Sequence, residues 1–94
     1  MIRRVVLIGS GNVAESLAQA IAEMQGVELV QLYARNAERG ATVAALAGTT
    51  HTADPSALDP SADLYLIAVS DRAVEEVAHA LPIPPSAIVA HTAG

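Results

Sequence analysis

Along this chain the apolar positions switch repeatedly between a period of two or less and a period near 3.6, which predicts strands alternating with helices. Val5, Val6, Leu7 and Ile8 form an unbroken apolar run, the pattern of a strand covered on both faces. A glycine turn follows at once. From Asn12 to about Met24, Ala14, Leu17, Ala18, Ile21 and Ala22 recur at intervals of three and four and predict one apolar helix face, leaving Glu15, Gln19 and Glu23 toward water. Gly26 ends that helix, and Val27 to Tyr33 reads as a second strand. Asn36 is placed to cap a second helix whose apolar residues Val43, Ala44, Leu46 and Ala47 stop at Gly48.

Thr49 to Thr52 predicts a short third strand, and Ala53 to Asp63 a turn-rich connection with room for one helical turn. Leu64 to Val69 is another apolar run. Ser70-Asp71 then opens a helix in which Val74, Val77, Ala78 and Leu81 share a face, until Pro82, Pro84 and Pro85 stop it. Ala87 to Ala90 predicts the last strand. Parallel neighbours need right-handed crossovers, so this alternation predicts an α/β fold, a doubly wound parallel sheet of about five strands in the order 3-2-1-4-5 with helices on both faces.

At 94 residues the chain fits a single domain with one modest core. Apolar residues make up 52%, but Phe, Trp, Cys and Lys are all absent, so the interior must be built from small and branched side chains. The lack of cysteine excludes a disulfide scaffold, a thiolate metal site and a cysteine nucleophile, and fits a cytoplasmic location. No apolar run approaches the roughly 20 residues a bilayer crossing needs. The start is also unlike a signal peptide, because its apolar stretch is short and ends in glycine. A net charge of −5 argues against nucleic-acid binding, so any anionic ligand must be held locally.

A local device for holding one is present. Gly9-Ser10-Gly11-Asn12-Val13-Ala14 matches G-x-G-x-x-G/A directly after a strand and at the opening of a helix. Gly9 permits a tight turn, Gly11 lets a pyrophosphate approach the backbone, and Ala14 lets the helix pack close to the sheet. Free amides at the helix start supply donors and partial positive charge without any lysine. Alone the pattern is weak; the surrounding strand-helix-strand unit raises it to an expected dinucleotide site.

The end of the second strand separates NAD from NADP. An acid there would hold the ribose hydroxyls of NAD; this chain has Tyr33-Ala34-Arg35-Asn36, followed by Arg39. Arg35 can pair with a 2′-phosphate while Asn36 adds an amide donor, so NADP is expected in preference to NAD. The plainer alternative is a solvated helix start. Val69 and Ser70, at the carboxyl end of the fourth strand, are expected to flank the nicotinamide ribose, whereas Asp71 reads first as a helix cap. His51, His79 and His91 show no metal-ligand spacing, and His91 is set apart only by its place at the end of the fifth strand. No catalytic residues can be named, since no nucleophile, base and orienting group assemble.

Taken together, Ile8 to Ala14, Tyr33-Ala34-Arg35, Asp63 to Asp71 and His91-Thr92-Ala93-Gly94 resemble the N-terminal domain of a family of Rossmann-like NADP oxidoreductases, related to pyrroline-5-carboxylate reductases and deazaflavin-dependent NADP reductases. The resemblance implies an NADP-binding domain, here residues 1–94, that works with a mostly helical C-terminal domain supplying the substrate site and a dimer contact. Ala14 for the third glycine is within the pattern; Ala34 and Asn36 replace hydroxyl side chains that relatives often carry. The stop at Gly94 after a strand is expected of a fragment, and an uncovered fifth strand is expected to favour self-association. The leading expectation is thus the cofactor half of an oxidoreductase acting on a small molecule, with a nucleotide-sensing module and a ligand-free structural remnant as rivals.

Overall fold

The apolar runs become five parallel strands in a computed structural model that describes residues 2–69, 77 and 79–92. Strand β1 (Arg4–Ile8) lies at the centre, between β2 (Glu28–Tyr33) and β4 (Leu64–Ile67). Beyond them lie β3 (His51–Thr52) and β5 (Ile88–His91), giving the expected order β3-β2-β1-β4-β5. Two helices, α1 (Asn12–Glu23) and α2 (Ala37–Ala47), and a 3-10 turn at Pro55–Ala57 complete the described elements. Ser70, Asp71, Val74 and Ala78, expected in and before a third helix, lie outside the described residues. Val77 and Leu81 are described; both are buried, and the Leu81 N–H donates to the Val77 carbonyl at 3.2 Å, the spacing of a helical turn.

Alternation along β1 divides the core in two. Val5 and Leu7 join Leu29, Leu32, the α1 residues Ala14, Ala18 and Ile21, and the α2 residues Val43 and Ala44. Val6 and Ile8 face the other way, against Tyr33, Leu58, Tyr65, Ile67, Val77 and Leu81. A strand apolar at every position is therefore a strand between two layers, and each fully buried large aliphatic side chain contributes roughly 1.5–3 kcal/mol. Ala14 and Ala18 are fully buried, so α1 approaches the sheet through methyl groups.

Strand β2 carries an irregularity that periodicity did not indicate. Val5 pairs with Leu29 but Val6 pairs with Gln31, so Val30 is an extra residue. This puts Leu29 and Leu32, three apart, in the same cluster. Gln31 then fastens the following connection: its amide donates to the Ala57 carbonyl at 2.9 Å, and its oxygen accepts from the Asp59 N–H at 2.8 Å. The third strand is shorter than expected because Thr49 and Thr50 reach β2 partly through their hydroxyls, which donate to the Leu29 and Val30 carbonyls.

Three side chains depart from the expected faces. Leu46 and Ala22 are exposed, while Glu15 is half-buried. Gly40, inside α2, explains the close seat of that helix: a Cβ there would overlap the His51 ring and crowd the Ala34 methyl. His51 lies with Nε2 3.2 Å from the Ala34 carbonyl oxygen and serves packing. Among the described residues no group of three or more His, Cys, Asp or Glu is arranged to hold a metal, and no helix is long and apolar enough to cross a membrane.

At the amino edge of the sheet, two carboxylates tie β1 to the segment before β4. Asp63 Oδ2 accepts the N–H groups of Arg3 and Arg4, each at 3.0 Å, and these bonds hold its carboxyl below the usual pKa. Asp59 is lowered first by the Ser61 hydroxyl and N–H and, less, by the Arg4 guanidinium 3.1 Å away. The Tyr65 hydroxyl donates to the Asp59 carbonyl, and burial raises its own pKa. A depressed carboxyl stabilises the fold fully above about pH 4 and progressively less as pH falls through its folded value. Asp63→Asn is therefore expected to lose stability at neutral pH and to show a smaller further loss between about pH 5 and 3 than the wild type, read from urea midpoints. Parallel acid profiles for the two proteins would contradict this.

Candidate functional site

The carboxyl edge of the sheet gathers the ends of β1, β2, β4 and β5. Ile8 leads into Gly9, whose N–H donates to the Tyr33 carbonyl at 2.8 Å while the Ala68 N–H donates back to Ile8 at 2.7 Å. Gly9 has φ +132°, and a Cβ on it would run into the Ala68 carbonyl oxygen and touch Val69. Glycine is required here by both backbone conformation and space. The chain can leave β1 only because this position lacks a side chain.

Gly11 differs in kind. Its backbone is extended, with φ −79° and ψ −171°, and a Cβ built on it meets nothing within 4 Å. The fold does not need that space. Gly11 is also the N-cap of α1, and no side chain caps that helix, whereas Asn36 caps α2 and Asp54 caps the 3-10 turn. The first helical bond runs from the Glu15 N–H to the Gly11 carbonyl at 2.9 Å, so the amides of Asn12, Val13 and Ala14 precede the helical ladder. Open room above uncapped amides is an arrangement that a diphosphate fits, without a cation. Asn12 and Val13 are exposed, Ser10 is half-buried, and Ala14 is fully buried against the sheet.

At the end of β2, Tyr33 and Ala34 are buried and Arg35 is exposed. Asn36 performs its expected capping role, its Oδ1 accepting from the Arg39 N–H at 2.9 Å; this leaves its amide group to donate. Val69 is half-buried beside the Gly9 turn. Ser70 lies outside the described residues. His91 is exposed at the end of β5, opposite Ile67, and the Thr92 N–H donates to the Ile67 carbonyl at 3.0 Å. His79 is exposed.

Arg39 is the residue that sequence reasoning underused. Rather than standing in solvent, it reaches back across the edge. Its Nε donates to the Ser10 carbonyl at 2.8 Å, and Nη2 lies 3.1 Å from the Glu15 carboxylate. Both side chains remain about a third exposed, 35% and 34%, so the ion pair contributes about 1 kcal/mol or less to folding. The only prior signal was an acid in the first turn of α1 and an arginine in the first turn of α2, with no indication that they meet.

Comparison with known proteins fits this geometry. A candidate NADP oxidoreductase from Bacteroides fragilis superposes with TM-score 0.87 at 32% identity, over 98% of this chain and 36% of that one. Two more distant likenesses support the fold alone. Biliverdin reductase from Synechocystis, solved with biliverdin and NADP+, gives TM-score 0.72 at 21% identity over 94% of this chain and 37% of its own. Prephenate dehydrogenase from A. aeolicus, solved with hydroxyphenyl propionate and NAD+, gives 0.83 at 20% identity over 99% and 34%. This chain thus spans about a third of the length of these proteins. No curated protein matches the sequence. The family comparison matches over residues 3–82, and with the parallel sheet, the glycine turn and the open helix start it leads to one conclusion: the chain belongs to the oxidoreductase family with an NAD-binding Rossmann fold.

Proposed function

We propose that this NAD(P)-binding domain takes NADP(H) in preference to NAD(H) and forms the cofactor half of an oxidoreductase that transfers hydride to or from a small molecule. The observation that carries the reading is the space above Gly11, which the fold does not require and which faces uncapped amides of α1. In this reading Gly9 and Ala14 shape the turn, Ser10, Gly11, Asn12 and Val13 surround the diphosphate, and Val69 and Ser70 flank the nicotinamide ribose. Arg35 and the Asn36 amide take the 2′-phosphate, since the chain after β2 carries an exposed arginine where an NAD enzyme carries an acid. Bound cofactor would supply the hydride, and the protein orients it.

The resemblance to pyrroline-5-carboxylate reductases and deazaflavin-dependent NADP reductases extends the proposal to the whole protein. There a helical domain closes the carboxyl edge, brings the substrate and forms a homo-oligomer in the cytoplasm. The residues of residues 1–94 then bind cofactor without completing turnover by themselves.

Calorimetric titration with NADP, NAD and adenosine 2′,5′-bisphosphate tests the assignment directly; silence toward all three overturns it. Arg35→Asp is expected to weaken NADP by about tenfold or more while changing NAD by much less, because repulsion replaces a charge-assisted pair. Equal losses would show that Arg35 does not read the phosphate.

The two glycines provide a second test. Gly9→Ala is expected to cost about 2–4 kcal/mol of stability by strain and overlap. Gly11→Ala should stay within about 1 kcal/mol in urea unfolding, as for an N-cap change, yet weaken NADP and NAD alike by about tenfold. Unchanged binding in Gly11→Ala would mean that the diphosphate lies elsewhere.

A further inference from the structure

Arg39 joins two elements that the cofactor reading treats separately. It stands in the first turn of α2, yet its guanidinium is directed at the β1–α1 turn, with Nε on the Ser10 carbonyl at 2.8 Å and Nη2 3.1 Å from Glu15. Each contact has a consequence for an anion at the start of α1.

The first concerns direction. A trans peptide is planar, so its C=O and N–H point opposite ways. Holding the Ser10 oxygen toward Arg39 therefore aims the Gly11 N–H away from Arg39. Glycine follows this peptide, and without a Cβ it resists rotation of the unit poorly. Were the unit to turn over, a carbonyl oxygen would replace an amide hydrogen on the ligand side and repel phosphate. The second concerns charge. Glu15 is an acid in the first turn of α1, favourable to the helix dipole but adverse to a second anion at the same terminus. The Arg39 guanidinium offsets it.

We propose that Arg39 is a positioning residue for the diphosphate of the dinucleotide, acting by orienting the Ser10–Gly11 peptide and neutralising Glu15 rather than by reading the 2′-phosphate. The inference rests on the dinucleotide reading above and deepens it. It divides the two arginines that follow β2: Arg35, before α2, distinguishes NADP from NAD, while Arg39, in the first turn of α2, serves both equally. Both side chains of the pair are partly exposed, so their effect is expected in binding more than in folding.

The test is calorimetric titration of NADP, NAD and ADP into the wild type, Arg39→Ala, Arg39→Lys and the double variant Arg39→Ala with Glu15→Gln, alongside thermal unfolding of each. ADP carries the diphosphate without the 2′-phosphate. Arg39→Ala is expected to weaken all three ligands by a common factor of about ten, leaving the NADP-to-NAD ratio unchanged. Arg39→Lys, which keeps the charge but lacks the planar fork, should recover part of the loss, and removing Glu15 in the double variant should recover another part. Selective loss of NADP would overturn the inference by making Arg39 a phosphate reader. Unchanged affinity for all three would overturn it by making Arg39 a bystander. Wild-type binding with either result leaves the dinucleotide reading standing, whereas wild-type silence removes both. Should Arg39→Ala unfold, Arg39→Lys carries the same comparison across the three ligands.

Discussion

The whole carboxyl edge depends on the near contact between the Gly9 backbone and the Ala68 carbonyl. Gly9 takes a left-handed φ, donates to Tyr33 of β2, and passes so close to the end of β4 that no side chain fits. One residue thus draws the ends of three neighbouring strands together. From that point the chain passes through Ser10 and Gly11 into α1, so the turn that completes the sheet also sets the helix start beside the strand ends. Structure and site are consequences of the same steric exclusion.

The helix can come that close because its inner face is built from methyl groups. Ala14 and Ala18 are fully buried, and Gly40 brings α2 down against His51 and Ala34 in the same way. The cluster between the sheet and these two helices contains no aromatic ring, both buried tyrosines lying on the other face, so on this side the layers approach closely. Close layers keep the first turns of α1 and α2 near each other, near enough for Arg39 to reach Ser10 and Glu15.

Most of the architecture was legible in the sequence because it rests on period and handedness. Apolar runs at Val5–Ile8 and Leu64–Val69 announced strands, the first of them covered on both faces, and the intervening helical periods required parallel crossovers. The glycine turn was legible too, since a G-x-G-x-x-A pattern has meaning once a strand precedes it and a helix follows. What could not be read was the path of long side chains and the local breaks in regularity. Residue spacing gave Arg39 a place in α2 but no direction, Glu15 was assigned to water because its helical position is outward, and Leu46 and Ala22 were assigned inward on the same rule. The extra residue at Val30 left no mark, because Leu29-Val30-Gln31-Leu32 reads equally well as a regular strand. Gly40 likewise gains meaning only from the ring that folds against it.

That extra residue has a consequence at a distance. Between Val5 and Val6 the β2 partner jumps from Leu29 to Gln31, so everything beyond it on β2 is advanced by one position relative to β1. Were the strand regular, Tyr33 would fall one place out of step with Ile8, and the side chains after the kink would swap sides. Arg35 would then travel about 3.3 Å along the strand axis and emerge from the opposite layer. The side of the sheet on which Arg35 emerges is accordingly set by a residue count in the middle of the second strand: one codon lost there would move that cation to the other layer without altering Arg35 itself.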